Sequence, residues 1–225
     1  VHRHQFCFTT SIPPPRIDYS LYLVTDRELS RGRTTLEIVE AAVSGGVTCV
    51  QLREKTATTH RFIREALTIR DHLRAVNVPL IINDRLDVAL AVGADGIHLG
   101  RNDMPLAMAR SVVDNRMIIG ISVESVADAL AAEKGGADYL GISPIFATPT
   151  KTDTALPLGV AGLRAIRQAV GLPLVAIGGL NAGNAADIIR KGADGVAVVS
   201  AIVGADDPER AARRLKNVIA EARKQ

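Results

Sequence analysis

Aromatic residues are scarce: three tyrosines, four phenylalanines and no tryptophan make up 3% of a 225-residue chain. That is too few for a base-stacking platform, and a net charge of +3 is a weak basic footprint, so nucleic acid is not expected as a partner. Cysteine is limited to Cys7 and Cys49. Two cannot make a disulfide framework, and the usage suits a reducing compartment, which gives a cytoplasmic expectation. Long apolar runs are missing as well. The longest, such as Gly195 to Val203, are far too short to span a bilayer, so a soluble body with no membrane partner is expected.

What is there is an ordinary globular composition, 47% hydrophobic and 23% charged, in a chain long enough for one domain with a substantial core. Residues 1–17, VHRHQFCFTTSIPPPRI, stand apart: they lack acids, show no periodicity and carry the run Pro13, Pro14, Pro15. They read as an irregular tail, a loose terminus rather than a fragment of an organelle-targeting peptide. Residues 18–225 then form the expected single domain.

From Leu21 short β-rich runs alternate with helical segments. The expected strands are LYLVTD (21–26), CVQLRE (49–54), PLIIND (79–84), GIHLG (96–100), IIGIS (118–122), YLGISPIF (139–146), PLVAIGG (173–179) and GVAVVS (195–200). Each precedes a helical stretch, the last being the amphipathic PERAARRLKNVIAEARKQ. A doubly wound sheet would need fewer strands and a Gly-rich first turn, and VTDRELSRG lacks one. Eight βα units in 225 residues therefore predict an α/β fold, a single (β/α)8 TIM barrel.

An internal echo fits that fold: SGGVTCVQL, AVGADGIHL, KGGADYLGI and KGADGVAVV each put a Gly-x-(Asp/Thr) turn before a strand. Such turns lie on the bottom face, so Asp95, Asp138 and Asp194 are expected to be structural. The active site of a barrel is built at the opposite end, where strands finish.

At that end strand three finishes on Asn83 and Asp84, and the loop after strand four carries Asp103. Singly, each aspartate reads slightly better as a helix N-cap, with Pro105 suitably placed in a first turn. Together at adjacent mouths they favour Mg2+, which takes one or two carboxylates and completes its shell with water and phosphate oxygens. In VQLREK the period of two puts Gln51, Arg53 and Lys55 on the mouth side and Val50 and Leu52 toward the helices. Ser122 ends strand five. The Thr- and Pro-rich stretch after strand six offers Thr148, Thr150 and Lys151 for a phosphate. Gly178, Gly179 and Ser200, after strands seven and eight, are where barrels of this size often bind a phosphate.

No nucleophile presents itself: Cys7 lies in the tail and Cys49 at the barrel bottom. His98, within strand four, reads as a satisfied interior histidine more readily than as a general base. The constellation is electrostatic, with two anion sites, one near Asp84, Asp103, Lys55 and Lys151 and one near Gly179 and Ser200.

In this order and spacing LYLVTD, QLREK, IINDR, HLGRNDMP, IGIS, FATPTK, AIGGL and VVSAI resemble the thiamine phosphate synthase family, from Leu21 to the C-terminus. The resemblance implies an enzyme that joins 4-amino-2-methyl-5-hydroxymethylpyrimidine pyrophosphate to a thiazole phosphate, giving thiamine phosphate and pyrophosphate. It implies that Gln51, Arg53, Lys55, Asn83, Ser122 and Lys151 hold the pyrimidine pyrophosphate, with Lys151, Ser122 and Arg53 closest to the chemistry. Thr148, Thr150, Gly179, Val199 and Ser200 would hold the thiazole carboxylate or phosphate, and Asp84 and Asp103 the Mg2+. The implied partners are these small molecules, with a homo-oligomer left open. Arg101, Glu124 and Ser143 depart from residues common in the family, glutamine, histidine and glycine respectively. A thiazole tautomerase-like isomerase and a noncatalytic phosphate-ligand sensor are the rival readings.

Overall fold

In the computed structural model, which describes residues 17–147 and 157–224, eight parallel strands close in sequence order, and the eighth pairs with the first. They are β1 (Leu21–Val24), β2 (Cys49–Leu52), β3 (Leu80–Asn83), β4 (Gly96–Leu99), β5 (Ile118–Val123), β6 (Tyr139–Ile142), β7 (Leu174–Ile177) and β8 (Gly195–Val198). The helices between them are α1 (Thr35–Ser44), α2 (Thr59–Ala75), α3 (Leu86–Val92), α4 (Leu106–Val113), α5 (Val126–Lys134), α6 (Gly159–Ala169) and α7 (Ala185–Arg190). A single turn, α8 (Ser200–Val203), and the closing α9 (Pro208–Ala222) follow β8. All eight expected strands are present. Seven are shorter than expected and β5 is longer; the sixth is cut most, because after Ile142 the chain passes through Ser143 and a cis-linked Pro144, which has no N–H to continue a ladder.

Alternation along each strand sorts the core into two compartments. Leu21, Leu23, Val50, Leu52, Leu80, Ile82, Ile97 and Leu140 face the helices, where they meet side chains such as Phe62, Ile69, Leu163 and Ile219. Tyr22, Val24, Cys49, Ile81, Ile118, Tyr139, Val175 and Ala197 fill the barrel interior. Tyr19 belongs to this inner cluster, and Ile17 packs against it. α9 shows how the outer layer is built: Ala212, Leu215, Ile219 and Ala222 recur every three or four residues and are buried, while its arginines stay outside.

Two interior glycines make room for the large rings. A Cβ on Gly120 would lie 2.0 Å from Tyr139 Cζ, and one on Gly141 would lie 2.9 Å from His98 Cε1. Small residues on β5 and β6 thus admit a tyrosine and an imidazole at a level where eight ordinary side chains would not fit.

The bottom face explains the sequence echo. Gly46, Gly93, Gly136 and Gly192 adopt positive φ as the chain leaves a helix. Two residues later a side chain accepts the first free amide of the preceding strand. Thr48 Oγ1 accepts from Leu21 N at 3.1 Å, Asp95 Oδ2 from Leu80 N at 2.8 Å, Asp138 Oδ2 from Ile119 N at 2.7 Å and Asp194 Oδ2 from Leu174 N at 2.7 Å. The backbone N–H of each returns a hydrogen bond to the same strand residue's carbonyl. Asp138 and Asp194 are also paired with Arg110 and Arg167. These aspartates satisfy backbone at alternate strands and are structural, as expected. Among the described residues no helix is long and apolar enough to cross a membrane.

Candidate active site

At the opposite end, the mouth, polar side chains gather from five consecutive strands. β1 runs into Thr25 and Asp26, and β2 into Arg53 and Lys55. The backbone N–H of Arg53 donates to Thr25 Oγ1 at 3.0 Å, and its guanidinium meets Asp26 Oδ2 at 2.8 Å. Arg53 is therefore held at both ends, with its side chain 25% exposed toward the mouth. Glu54, on the alternate side, pairs with Arg27 away from the mouth, as the period of two requires.

Asp84 follows β3 in the left-handed region, with φ of 63°. Aspartate is one of the few residues other than glycine to tolerate this conformation. Its N–H donates to His98 O at 2.9 Å, and its Oδ2 lies 2.5 Å from Lys55 Nζ. Asp103 reaches back across its own loop, where Oδ2 accepts from Gly100 N at 2.7 Å. The N-cap reading fails for both: α3 is preceded by Arg85 and α4 by Pro105, neither start has a side-chain cap, and Pro105 stands just before the first turn rather than in it.

The two carboxyl groups are in contact, and their proton affinities part accordingly. Burial pushes Asp84 up, but the hydrogen bonds from Lys55 and from Asp103 hold it below the usual aspartate value. Burial and the neighbouring Asp84 carry Asp103 above that value, against the Gly100 amide. Two carboxylates in contact repel unless a proton or a cation lies between them. Among the described residues no group of three or more His, Cys, Asp or Glu side chains could enclose a metal. A cation here would have two carboxylate ligands and an otherwise open shell, a donor set that fits Mg2+.

Gln51 and Asn83 point inward and are buried. Gln51 Nε2 donates to Tyr22 Oη at 3.0 Å, which leaves its carbonyl oxygen available. Ser122 Oγ lies 2.9 Å from His98 Nε2. His98 is thus engaged inside the barrel, in line with the interior reading. Cys49 is fully buried and its thiol is pushed well above the usual value by burial, so it offers no nucleophile.

Gly178 and Gly179 both have positive φ, and a packing reason for them was not visible in the sequence. A Cβ on Gly178 would lie 2.9 Å from Pro144 Cβ, and one on Gly179 would lie 2.8 Å from Phe146 Cβ. Ser200 opens α8 directly after Val199. The far end of α8 is held by Arg33, whose Nη2 donates to Val203 O at 2.8 Å. Thr148, Thr150 and Lys151 lie outside the described residues.

Arg101 and Glu124, the two rim departures, pair with each other at 2.6 Å across the β4 and β5 mouths. Sequence reasoning missed Thr25 and Asp26, although LYLVTD ends on a polar pair just as PLIIND does. It also missed Tyr22 and Tyr139 as partners of Gln51 and His98.

Residues 21–202 match the thiamine monophosphate synthase family. A thiamine-phosphate synthase of Chloroflexus aurantiacus is 57% identical over 203 residues, covering 90% of this chain and 94% of that protein. One of Albidiferax ferrireducens is 54% identical over 199 residues, 88% of this chain and 91% of the other. Among solved structures, a thiamine phosphate pyrophosphorylase from Pyrococcus furiosus superposes with a TM-score of 0.85 at 41% identity, covering 91% of this chain and 97% of that one. A 3-hexulose-6-phosphate synthase, with a TM-score of 0.69 at 16% identity, shares the fold alone.

Proposed function

The chain belongs to the thiamine monophosphate synthase family, and on that premise we propose how its mouth carries out the reaction. The activity is that of a thiamine-phosphate synthase, a transferase that releases pyrophosphate. The substrates are 4-amino-2-methyl-5-hydroxymethylpyrimidine pyrophosphate and 4-methyl-5-(2-hydroxyethyl)thiazole phosphate or its carboxylated form. The carbon–oxygen bond to pyrophosphate breaks first, the aminopyrimidine ring delocalises the positive charge left on its methylene, and the thiazole nitrogen then forms the new carbon–nitrogen bond. No enzyme nucleophile is needed, which suits a mouth whose described residues include no exposed thiol.

Asp84 and Asp103 would hold Mg2+. When bound, that ion neutralises charge growing on the departing pyrophosphate. Lys55, fixed beside Asp84, and Arg53, fixed by Asp26, aim further positive charge at the same group. Charge placed in advance where the transition state develops it needs no reorganisation during the reaction. Gln51, Asn83 and Ser122 receive the pyrimidine from the barrel side. Lys151, Thr148 and Thr150 are assigned to the anionic groups on the strength of the sequence alone, as are Gly179, Val199 and Ser200 to the thiazole phosphate.

The observation that carries this reading is the contact of Asp84 with Asp103 beside Lys55, since two aspartates excused from capping are left facing each other. The test is product formation from the two synthetic substrates in Mg2+ and in EDTA, with Asp84→Asn alongside. Asparagine tolerates the left-handed backbone, so the charge is removed with the fold kept. Metal-dependent turnover that Asp84→Asn lowers by at least about a hundredfold, roughly two orders of magnitude or 2.7 kcal/mol, is expected. A fully active Asp84→Asn would overturn the metal assignment.

A further inference from the structure

Gln51 and Ser122 stand on strands separated by two others, yet one chain of hydrogen bonds joins them through the barrel interior. Gln51 Nε2 meets Tyr22 Oη at 3.0 Å, and Tyr22 Oη meets Tyr139 Oη at 3.0 Å. Tyr139 Oη meets His98 Nδ1 at 2.9 Å, and His98 Nε2 meets Ser122 Oγ at 2.9 Å. The five residues come from β2, β1, β6, β4 and β5 in that order, so the chain crosses the barrel beneath the mouth. We propose that Tyr22, Tyr139 and His98 are positioning residues that order the protons of this chain, so that Ser122 is a fixed donor and Gln51 a fixed acceptor toward the aminopyrimidine. This inference rests on the placement of that substrate against Gln51 and Ser122 given above.

The sense of the chain follows from its first member. An amide N–H can only donate, so Tyr22 Oη accepts from Gln51 and keeps one proton to give. The nearby Cys49 thiol is a weak acceptor, and the phenol oxygen of Tyr139 is the better one. Burial pushes both phenols well above the usual value, so neither loses its proton to the chain. Tyr139 then donates to Nδ1, and an imidazole that accepts at Nδ1 carries its own proton at Nε2. That N–H donates to Ser122 Oγ, and the serine proton is left pointing away from the chain. At the other end, one of the two Gln51 N–H groups is spent on Tyr22, which fixes the amide with its oxygen turned away from that phenol.

An unrestrained serine hydroxyl rotates and donates or accepts as its surroundings ask. Here the oxygen is already occupied as an acceptor, so its proton is ready for a ring nitrogen or a pyrophosphate oxygen. An acceptor and a donor of fixed sense suit an aminopyrimidine, which offers an amino proton and a ring lone pair. Gly120 and Gly141 are part of the same device, because a side chain at either would displace Tyr139 or His98.

Tyr139→Phe tests the inference, since it keeps the ring and removes the link. The first measurement is the 15N spectrum of the ligand-free wild-type protein at mildly alkaline pH, with His98 assigned from His98→Gln. A neutral ring with its proton on Nε2 is expected, and Tyr139→Phe is expected to lose that preference. The second is kinetic. Tyr139→Phe should raise the KM for the pyrimidine pyrophosphate about tenfold, the weight of one hydrogen bond. The KM for the thiazole phosphate should stay unchanged. A wild-type proton on Nδ1, or Tyr139→Phe kinetics equal to wild type in an enzyme that Asp84→Asn inactivates, would overturn the relay. The spectrum needs no turnover, so it decides the relay even if the proposed reaction itself fails.

Discussion

Gly120→Ala adds one methyl group in the barrel interior, directly against the Tyr139 ring. The new carbon would lie 2.0 Å from Tyr139 Cζ, 2.3 Å from Cε1 and 2.4 Å from Oη. Carbon atoms in contact sit at about 3.5–4.0 Å, so the ring must retreat by more than an ångström. It has little room to do so: Tyr139 is fully buried, with the Tyr19 ring centroid 4.6 Å away and that of His98 at 5.5 Å. Retreat also carries Oη out of its bonds to Tyr22 and His98, which are 3.0 Å and 2.9 Å long. Overpacking costs about 1–3 kcal/mol. Each buried polar group left without a partner costs about 1–3 kcal/mol more. A total of roughly 3–6 kcal/mol corresponds to a fall in Tm of about 10–20 °C for a chain of this length.

Thermal unfolding followed by circular dichroism measures the fall, and the pyrimidine KM measured well below the melting point reports on the relay. If the clash is the cause, adding Tyr139→Leu should recover part of the loss, so that the double variant costs less than the two singles together. A Gly120→Ala protein that melts within about 3 °C of wild type, a shift worth only ~1 kcal/mol, with unchanged kinetics would show that the interior is looser than described and would remove the steric half of the relay argument.

On the bottom face, Asp138→Ala removes the acceptor of the Ile119 amide and the partner of Arg110, and should cost about 2–4 kcal/mol of stability. The KM values and kcat at a permissive temperature should stay as in wild type; lost turnover with an unchanged melting point would contradict the structural role. Arg101→Ala breaks a rim bridge whose arginine is 69% exposed, so the loss should stay below about 1 kcal/mol. The pyrimidine KM should not move, and a large rise would place Arg101 in the pyrophosphate site instead of on Glu124.

The strands were legible because each alternates cleanly between helix-facing and interior side chains, and because a turn with its own chemistry precedes four of them. GADGIHL shows both: Gly93 turns the chain, Asp95 takes the Leu80 amide, and Ile97 and Leu99 face outward. The end of the sixth strand misled, since the apolar run through Ile145 and Phe146 continues while the backbone has already left the sheet at Pro144. The meeting of Asp84 with Asp103 was legible because strand order alone makes β3 and β4 neighbours. The relay was not, since Tyr22, His98 and Tyr139 each look like one polar group in an apolar strand. Only closure of the barrel brings β1, β4 and β6 to a common axis. The pairing of Arg101 with Glu124 was hidden for a smaller reason: both were read singly, although β4 and β5 are adjacent.

The two ends of the barrel treat acidic residues in opposite ways, and that contrast separates scaffold from site more sharply than any single residue does. At the bottom, Asp95, Asp138 and Asp194 each accept a strand amide, and two of them also pair with an arginine, so each is engaged in holding the scaffold. At the mouth, Asp84 takes a left-handed backbone and is turned against Asp103, whose carboxyl is forced above its usual value as a result. Stability alone gives no reason to place two carboxylates together when a single substitution would separate them. Conflicts of this kind persist where something bound relieves them, and the divalent cation proposed above would relieve this one.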